Sequence, residues 1–268
     1  MLLTQTSFLV ADRAECFIIE TYERFWVWRR VHGIAAISNQ YSITTNWDRA
    51  SLSLIEWAIS KGHCTREHPV FNFATIFGSN VMEVFAQGSC RRNQIFEALE
   101  RADSISVATC MRVLRMHSHE PTCNEFDPSS LAATGKQTVC MHYAGQVRRA
   151  QTTGSVISHL AQPNPQSPEV PESDILDTHW VTGTSSPCLS VFKPLIGVDA
   201  LQQDLISPQF YAPDSIWWKG ELLHRLVLKK FAERSSLVRA RVHILELQSF
   251  EHTSRFSEIG RASCRERV

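Results

Sequence analysis

The sequence predicts an α+β protein, in which strands and helices come in separate blocks and the sheets are mainly antiparallel. Apolar runs separated by short polar turns fill the first thirty residues, as in successive β-strands. Helical spacing of apolar residues begins near Ser51 and returns in a long carboxy-terminal stretch from Ser215 to about Glu246. Strands that follow one another through tight turns favour antiparallel pairing over a βαβ winding.

The amino-terminal block contains three predicted strands. Residues 7–11 form a short apolar run, and residues 16–20 form a second one after the polar turn at 12–15. Residues 24–31 are rich in aromatic side chains and alternate in polarity, which predicts the third strand. A further apolar run at residues 33–37 then leads into the polar sequence Ser38-Asn39-Gln40-Tyr41.

Helical periodicity follows this block. Residues 51–61 place Leu52, Ile55 and Ile59 on one predicted apolar stripe, and Gly62 stands where a glycine cap ends a helix. Residues 93–102 and 104–116 are predicted to form two further amphipathic helices, the second with Val107, Met111 and Leu114 along one face.

The second half of the chain is predicted to return to strands before the last helical stretch. Residues 138–143 and 151–160 are interpreted as a strand pair, residues 161–174 with their four prolines as a loop, and residues 179–183 and 189–192 as strands. In the helical stretch, the apolar stripe is predicted to consist of Ile216, Leu223, Leu226 and Val227.

Composition excludes several classes of protein. The 27 basic and 27 acidic residues give no net charge, so no basic surplus points to nucleic acid. No apolar run reaches the roughly 20 residues that cross a bilayer, and the amino terminus lacks the charge pattern of a secretory signal. We therefore expect a cytoplasmic protein without membrane insertion, whose eight cysteines are reduced. The last eleven residues, 258–268 (EIGRASCRERV), are interpreted as a sequencing-adapter read-through rather than natural protein.

Two groups of cysteines and histidines are candidates for chemistry. Cys110, His117, His119 and Cys123 could form a metal set, but their spacing is not the close pairing that zinc sites favour, so a buried thiol and surface histidines are expected. In Cys140-x-His142, both side chains lie on one face of the predicted strand. This pair is either an active-site dyad or an inert thiol beside a hydrogen-bonded histidine.

Several segments, taken in order, resemble the secernin and bacterial dipeptidase family of N-terminal-nucleophile cysteine hydrolases. They are ISNQYSI at residues 37–43, FNF at 71–73, CMH at 140–142, RRAQTTGS at 148–155, WVTGT at 180–184 with PC at 187–188, FKP at 192–194, and SIWW with LHR within 215–225. The resemblance covers about residues 7–231 and implies an αββα sandwich with mainly antiparallel sheets. It also implies hydrolysis of a peptide or related amide bond by a cysteine at the start of the mature chain.

The same resemblance assigns roles to single residues. Asn39 matches an oxyanion-hole asparagine, and Arg91 matches an active-site arginine, although Arg92 fits that role equally well. The alternatives are a turn asparagine bonded to nearby backbone and a solvated basic pair before a helix. No cysteine matches the family's nucleophile, because Cys16 lies inside a predicted strand without the expected context.

These observations predict that residues 1–257 are the carboxy-terminal part of a cysteine-type dipeptidase domain, inactive as written because its nucleophile segment is missing. The expected partner is a small peptide or amide substrate, with no nucleic acid, no metal and no cofactor. The alternative is a secernin-like protein without catalysis, with an interaction role linked to secretion. Activity of the completed chain towards dipeptides distinguishes the two.

Overall fold

A computed structural model describes residues 5–78, 88–117, 128, 138–143, 151–161, 177–196 and 209–265, with side chains as far as residue 254. The chain divides into two compact units, Met1–Arg101 and Ala102–Val268. Each unit combines helices with an antiparallel sheet, which confirms the predicted α+β class. Among the described helices, none combines the length and apolarity required to cross a bilayer.

The sheet of the first unit has four strands in the order of the sequence: β1 (Gln5–Ala11), β2 (Cys16–Tyr22), β3 (Phe25–Arg30) and the short β4 (Arg49–Ala50). All neighbours pair in antiparallel fashion, as predicted. The first turn forms because Oδ1 of Asp12 accepts hydrogen bonds of 2.7 Å from the backbone N–H groups of Ala14 and Glu15. This side chain thus closes the turn between β1 and β2.

Three helices of the first unit are described: α1 (Leu52–Ser60), α2 (Phe73–Phe77) and α3 (Gly88–Glu100). Gly62 ends α1 as predicted, with φ of +75° and its N–H donated to the Ile59 carbonyl. The predicted stripe of α1 is wrong, because Leu54 and Ala58 are the buried residues whereas Leu52 is 79% exposed.

The core against which α1 packs explains this difference. Leu54 and Ala58 belong to a buried cluster with Ile18 of β2 and Val27 of β3. The entry to the helix is tied to β3, because the backbone N–H of Ser51 donates to the carbonyl of Trp26. Of the predicted stripe, only Ile55 packs against the cluster, and it does so partly. The sheet, not the helix's own periodicity, therefore selects the buried face.

The sheet of the second unit has three strands, β5 (Val156–His159), β6 (Thr178–Val181) and β7 (Lys193–Ile196), all antiparallel. The predicted pairing of 138–143 with 151–160 is wrong, because β5 pairs with β6 and residues 138–143 form no strand. Residues 189–192 are not a strand either. Pro187 instead begins a 3₁₀ turn, Pro187–Leu189, and the strand starts at Lys193.

The described helices of the second unit are α4 (Val107–Leu114), α5 (Ile216–Leu228) and α6 (Phe231–Arg265). In α4, Met111 is buried and Val107 and Leu114 pack beside it, as predicted. The predicted stripe of α5 is wrong apart from Val227, because its other buried residues are Glu221 and His224. Leu223 and Leu226 are 44% and 42% exposed.

The loop predicted at residues 161–174 lies outside the described residues from residue 162 onwards.

Candidate functional site

Asn39 and Arg91, the two residues matched to catalytic roles, contact each other in the first unit. The Nη2 group of Arg91, near the start of α3, donates a hydrogen bond of 2.6 Å to Oδ1 of Asn39, 52 positions earlier. Arg92, the equally good candidate from the sequence, instead donates to the backbone carbonyl of Tyr41 at 3.2 Å. The geometry thus pairs Arg91 with the asparagine side chain and Arg92 with the backbone of the same loop.

Gly88, the first residue of α3, lets the loop that carries Asn39 approach the helix. A Cβ atom at Gly88 would lie 2.5 Å from Oδ1 of Asn39 and 2.9 Å from Cγ of Gln40. Both distances are too short for non-bonded atoms, so only glycine fits this contact without movement of the loop. Sequence reasoning gave no role to this glycine.

A buried carboxylate holds the residues that follow Asn39. Glu20 of β2 is fully buried and accepts hydrogen bonds from the backbone N–H groups of Ser42 and Ile43, at 2.6 and 3.0 Å, and from the Ser42 hydroxyl. The Tyr41 hydroxyl donates to the carbonyl of Thr21 at 2.5 Å. Burial, aided by the charge of Glu20, raises the pKa of Tyr41 above its usual range. The loop is therefore fixed to β2 by polar contacts.

Four cysteine and histidine side chains converge in the interior of the second unit. They are His117, Cys140, His142 and Cys188, and one nitrogen or sulfur atom from each lies within 4.8 Å of all the others. The Nε2 atom of His142 is 3.1 Å from Nε2 of His117, 3.5 Å from Sγ of Cys140 and 3.3 Å from Sγ of Cys188. None of the four is more than 2% exposed. We refer to this group as the Cys/His cluster.

Backbone hydrogen bonds join the three segments that supply the Cys/His cluster. The N–H of Cys140 donates to the carbonyl of Met116, the residue before His117. Thr152 connects the other two segments, because its N–H donates to the Met141 carbonyl and its own carbonyl accepts from the N–H of Ser186. Ser186 has φ of +58°, a conformation that is unfavourable for a residue other than glycine, and it leads into the turn with Cys188.

Arg115 further fixes the turn that contains Cys188. Its Nε and Nη2 groups donate to the carbonyls of Pro187 and Ser190, both at 2.9 Å. Its Nη1 group donates at 2.9 Å to Glu246 of α6, whose other carboxylate oxygen accepts from Nη2 and from the N–H of Phe192. This arginine stands two residues before His117, so it couples the segment that carries His117 to the turn that carries Cys188.

A polar chain extends from the cluster towards α5. The Ser186 hydroxyl lies 3.4 Å from Nδ1 of His142 and 2.8 Å from Nε2 of His224. Nδ1 of His224 is 3.8 Å from Oε2 of Glu221, which is ion-pair range but too long for a hydrogen bond. Burial lowers the pKa of His224, against the opposing charge of Glu221. The imidazole is therefore favoured in its neutral form.

Competing effects act on the thiol of Cys188. Burial raises its pKa, whereas hydrogen bonds from Cys140, His117 and His142 and the charge of His142 lower it, and the net direction is downward. A thiolate is the form of cysteine that attacks substrates and binds metals. The closed surroundings, with Val227 and Phe231 among the packed neighbours, restrict access of a substrate to this sulfur atom.

The structure groups the sequence candidates differently from either predicted set. Of the candidate metal set, Cys110 and His117 are described, and of these two only His117 belongs to the cluster, since Cys110 packs near Met111 and Trp180. His119 and Cys123 lie outside the described residues. Sγ of Cys140 and Nε2 of His142 lie 3.5 Å apart, although the strand that was predicted to carry both side chains on one face is not formed. Cys188 was not predicted to be a functional residue. The local signal in the sequence was the proline before it, Pro187, which begins the turn that holds this cysteine.

No family model matches the chain, and no solved structure matches it. The chemistry of both sites therefore rests on the residues themselves. The Asn39–Arg91 pair offers an oriented amide on a fixed loop and a cation on α3, which together are suited to binding an anion or a polarised carbonyl. The Cys/His cluster offers two sulfur and two nitrogen ligands in a closed interior, a donor set typical of zinc.

Proposed function

We propose that the chain is part of a cysteine-type amide hydrolase that acts on dipeptides, and that Asn39 and Arg91 contribute to its substrate site. The observation that carries this proposal is the hydrogen bond between them, because the family resemblance assigned a role to each residue separately. On this proposal the two sheets belong to an αββα sandwich, and a cysteine at the start of the mature chain attacks the amide.

The direction of the hydrogen bond determines what Asn39 can do. A guanidinium group only donates, so the atom facing Arg91 is the amide oxygen. The amide NH₂ group of Asn39 is then oriented by the arginine and can donate to the oxygen of a tetrahedral intermediate. The cation of Arg91 adds favourable charge near that oxygen or binds the carboxylate of a dipeptide. The α-amino group of the nucleophilic cysteine would accept the thiol proton and return it to the leaving amine.

Substrate binding is measured on the full chain by titration calorimetry with dipeptides at up to about 1 mM, the upper end of usual Michaelis constants. We expect binding that Asn39→Ala and Arg91→Ala both weaken. Asn46→Ala is the matched control, because Asn46 bonds only the neighbouring Thr44 among the described contacts. Loss of binding in the control alone, or no binding by the unmodified chain, would count against the proposed site.

Hydrolysis is assayed on the longest product that the gene encodes, with its first cysteine replaced by alanine as the control. Activity abolished by that replacement, and reduced about 100- to 1,000-fold by Asn39→Ala, is the expected result. If the product binds no dipeptide and hydrolyses none, the secernin-like alternative without catalysis is favoured. Activity unchanged by Asn39→Ala would remove this residue from the oxyanion hole.

A further inference from the structure

We infer that His117, Cys140, His142 and Cys188 bind one Zn²⁺ ion, and that this ion has a structural role in the second unit. The inference is independent of the proposed hydrolase, since it involves none of the residues assigned to the substrate site. It assigns to this chain a Cys₂His₂ centre whose ligands come from three separate segments.

Hydrogen bonding alone does not account for the Cys/His cluster. The Nε2 atom of a histidine carries either one proton or one lone pair, so it forms one good hydrogen bond in the ring plane. Nε2 of His142 nevertheless has three neighbours within 3.5 Å, namely Nε2 of His117 and the sulfur atoms of Cys140 and Cys188. A cation between the four atoms uses the lone pair of every ligand at once, which a set of protons cannot do.

The distances agree with a tetrahedral zinc centre. With Zn–N bonds of about 2.05 Å and Zn–S bonds of about 2.3 Å, tetrahedral geometry separates two nitrogen ligands by about 3.3 Å and a nitrogen from a sulfur by about 3.5 Å. The observed separations from Nε2 of His142 are 3.1 Å to nitrogen and 3.5 and 3.3 Å to sulfur. The three measured edges thus fit the size of a ligand shell around one ion.

Burial and charge favour zinc with a structural role. All four residues are at most 2% exposed, and catalytic zinc sites instead keep a coordination position open to water or substrate. Two thiolates and two neutral imidazoles around Zn²⁺ carry no formal net charge, so the complex suits an apolar interior. Phe231, whose ring centroid lies 5.7 Å from that of His142, is part of this interior.

The contacts beyond the ligands orient His142 for metal binding. If its Nδ1–H donates to the Ser186 hydroxyl, and this hydroxyl donates to Nε2 of His224, the lone pair of His142 Nε2 points into the cluster. Glu221 then faces the remaining N–H of His224. Histidine ligands of metals are commonly held by such a partner on the other ring nitrogen.

The test uses the full chain purified under reducing conditions. Elemental analysis is expected to find one zinc per chain, and Co²⁺ added to the demetallated chain is expected to give the visible absorption of a tetrahedral thiolate complex. Cys188→Ser should abolish both signals. Cys110→Ser is the matched control and should leave both signals unchanged. Cys110 was considered as a metal ligand from the sequence, but it does not belong to the Cys/His cluster.

The cobalt spectrum of the unmodified chain keeps the test decisive even if Cys188→Ser fails to fold. Thiolate-to-metal bands arise only when sulfur atoms bind the cobalt ion. Their presence in the unmodified chain therefore tests the ligands directly and does not depend on whether a variant folds. Absence of these bands, or a metal-free chain with a Cys140–Cys188 disulfide after reducing purification, would overturn the inference. A signal lost in Cys110→Ser but kept in Cys188→Ser would also overturn it. Failure of dipeptide binding leaves these measurements unaffected, so the two proposals fail separately.

Discussion

The Nε2 atoms of His117 and His142 lie 3.1 Å apart in the interior of the second unit, although the residues are 25 positions apart in the chain. The sulfur atom of Cys188, 46 positions after His142, lies 3.3 Å from Nε2 of His142. An ion held by these side chains would cross-link segments that are distant in sequence. Because these ligands come together only in the folded chain, the free energy of binding the ion adds to the stability of the fold.

Removal of zinc is therefore expected to destabilise the second unit. With free zinc about 1,000-fold above its dissociation constant, binding adds about 4 kcal/mol to the free energy of unfolding. Urea denaturation with and without a zinc chelator, followed by tryptophan fluorescence, measures this difference. The Cys188→Ser variant serves as control, since the chelator should not change its curve. Superimposed curves for the unmodified chain would contradict a structural role.

Ser186→Ala is expected to weaken zinc binding without removing a ligand. The hydroxyl of Ser186 lies between His142 and His224, and loss of such a partner typically costs 10- to 100-fold in metal affinity. Competition with a chromophoric chelator measures the affinity. Ser190→Ala is a buried control in the same loop, because its hydroxyl contacts Thr184 and Ser185 rather than a ligand. Equal affinities of the two variants would argue against the polar chain as a determinant of binding.

Glu20→Gln is expected to lower the stability of the first unit by about 2 kcal/mol, the usual size of a hydrogen bond to a charged group. The carboxylate of Glu20 accepts from Ser42 through one oxygen and from Ile43 through the other. Glutamine has one acceptor oxygen, so its NH₂ group must face one of these donors. Urea denaturation followed by fluorescence measures the change.

The control for this substitution is Glu56→Gln on the exposed face of α1. It makes the same chemical change at the surface and should alter stability by no more than about 0.5 kcal/mol. A similar loss in both variants would show that charge, and not the buried hydrogen bonds, is responsible.

What could be predicted from the sequence was mainly local. Strands β1 and β2 followed from two apolar runs on either side of the polar turn at residues 12–15, which the side chain of Asp12 closes, and β3 followed from its alternating polarity. The buried face of α1 could not be predicted, because Leu52 and Leu54 are equally apolar and contact with the sheet decides between them.

The two sites show the same limit. Asn39 and Arg91 were identified by resemblance, whereas their contact across 52 positions is tertiary. The Cys/His cluster escaped prediction because its three segments follow no short ligand spacing, and only Cys140 and His142 are neighbours in sequence. The buried positions of Glu221 and His224 on α5 were missed for a related reason: helical periodicity favours apolar residues, and here the polar pair faces inward.

Gly88→Ala is expected to displace Asn39 and thereby weaken dipeptide binding. The added Cβ would lie 2.5 Å from Oδ1 of Asn39, and overpacking of this kind costs about 1–3 kcal/mol. In a helix, glycine to alanine otherwise stabilises, so a loss of stability would itself indicate the steric conflict. Gly154→Ala is the control, because no atom beyond its two neighbours in the chain lies within 4 Å of a Cβ built there.

The double variant Asn39→Ala with Gly88→Ala separates the steric conflict from a general effect on α3. Truncation of Asn39 removes the atom that the new methyl group meets first. The remaining contacts, 2.9 Å to Cγ of Gln40 and 3.1 Å to Oγ of Ser38, both involve side chains. The two substitutions should therefore be non-additive, with Gly88→Ala costing less stability in the Asn39→Ala background. Urea denaturation of the four chains measures the coupling. Strictly additive losses would show that Gly88 does not act through Asn39.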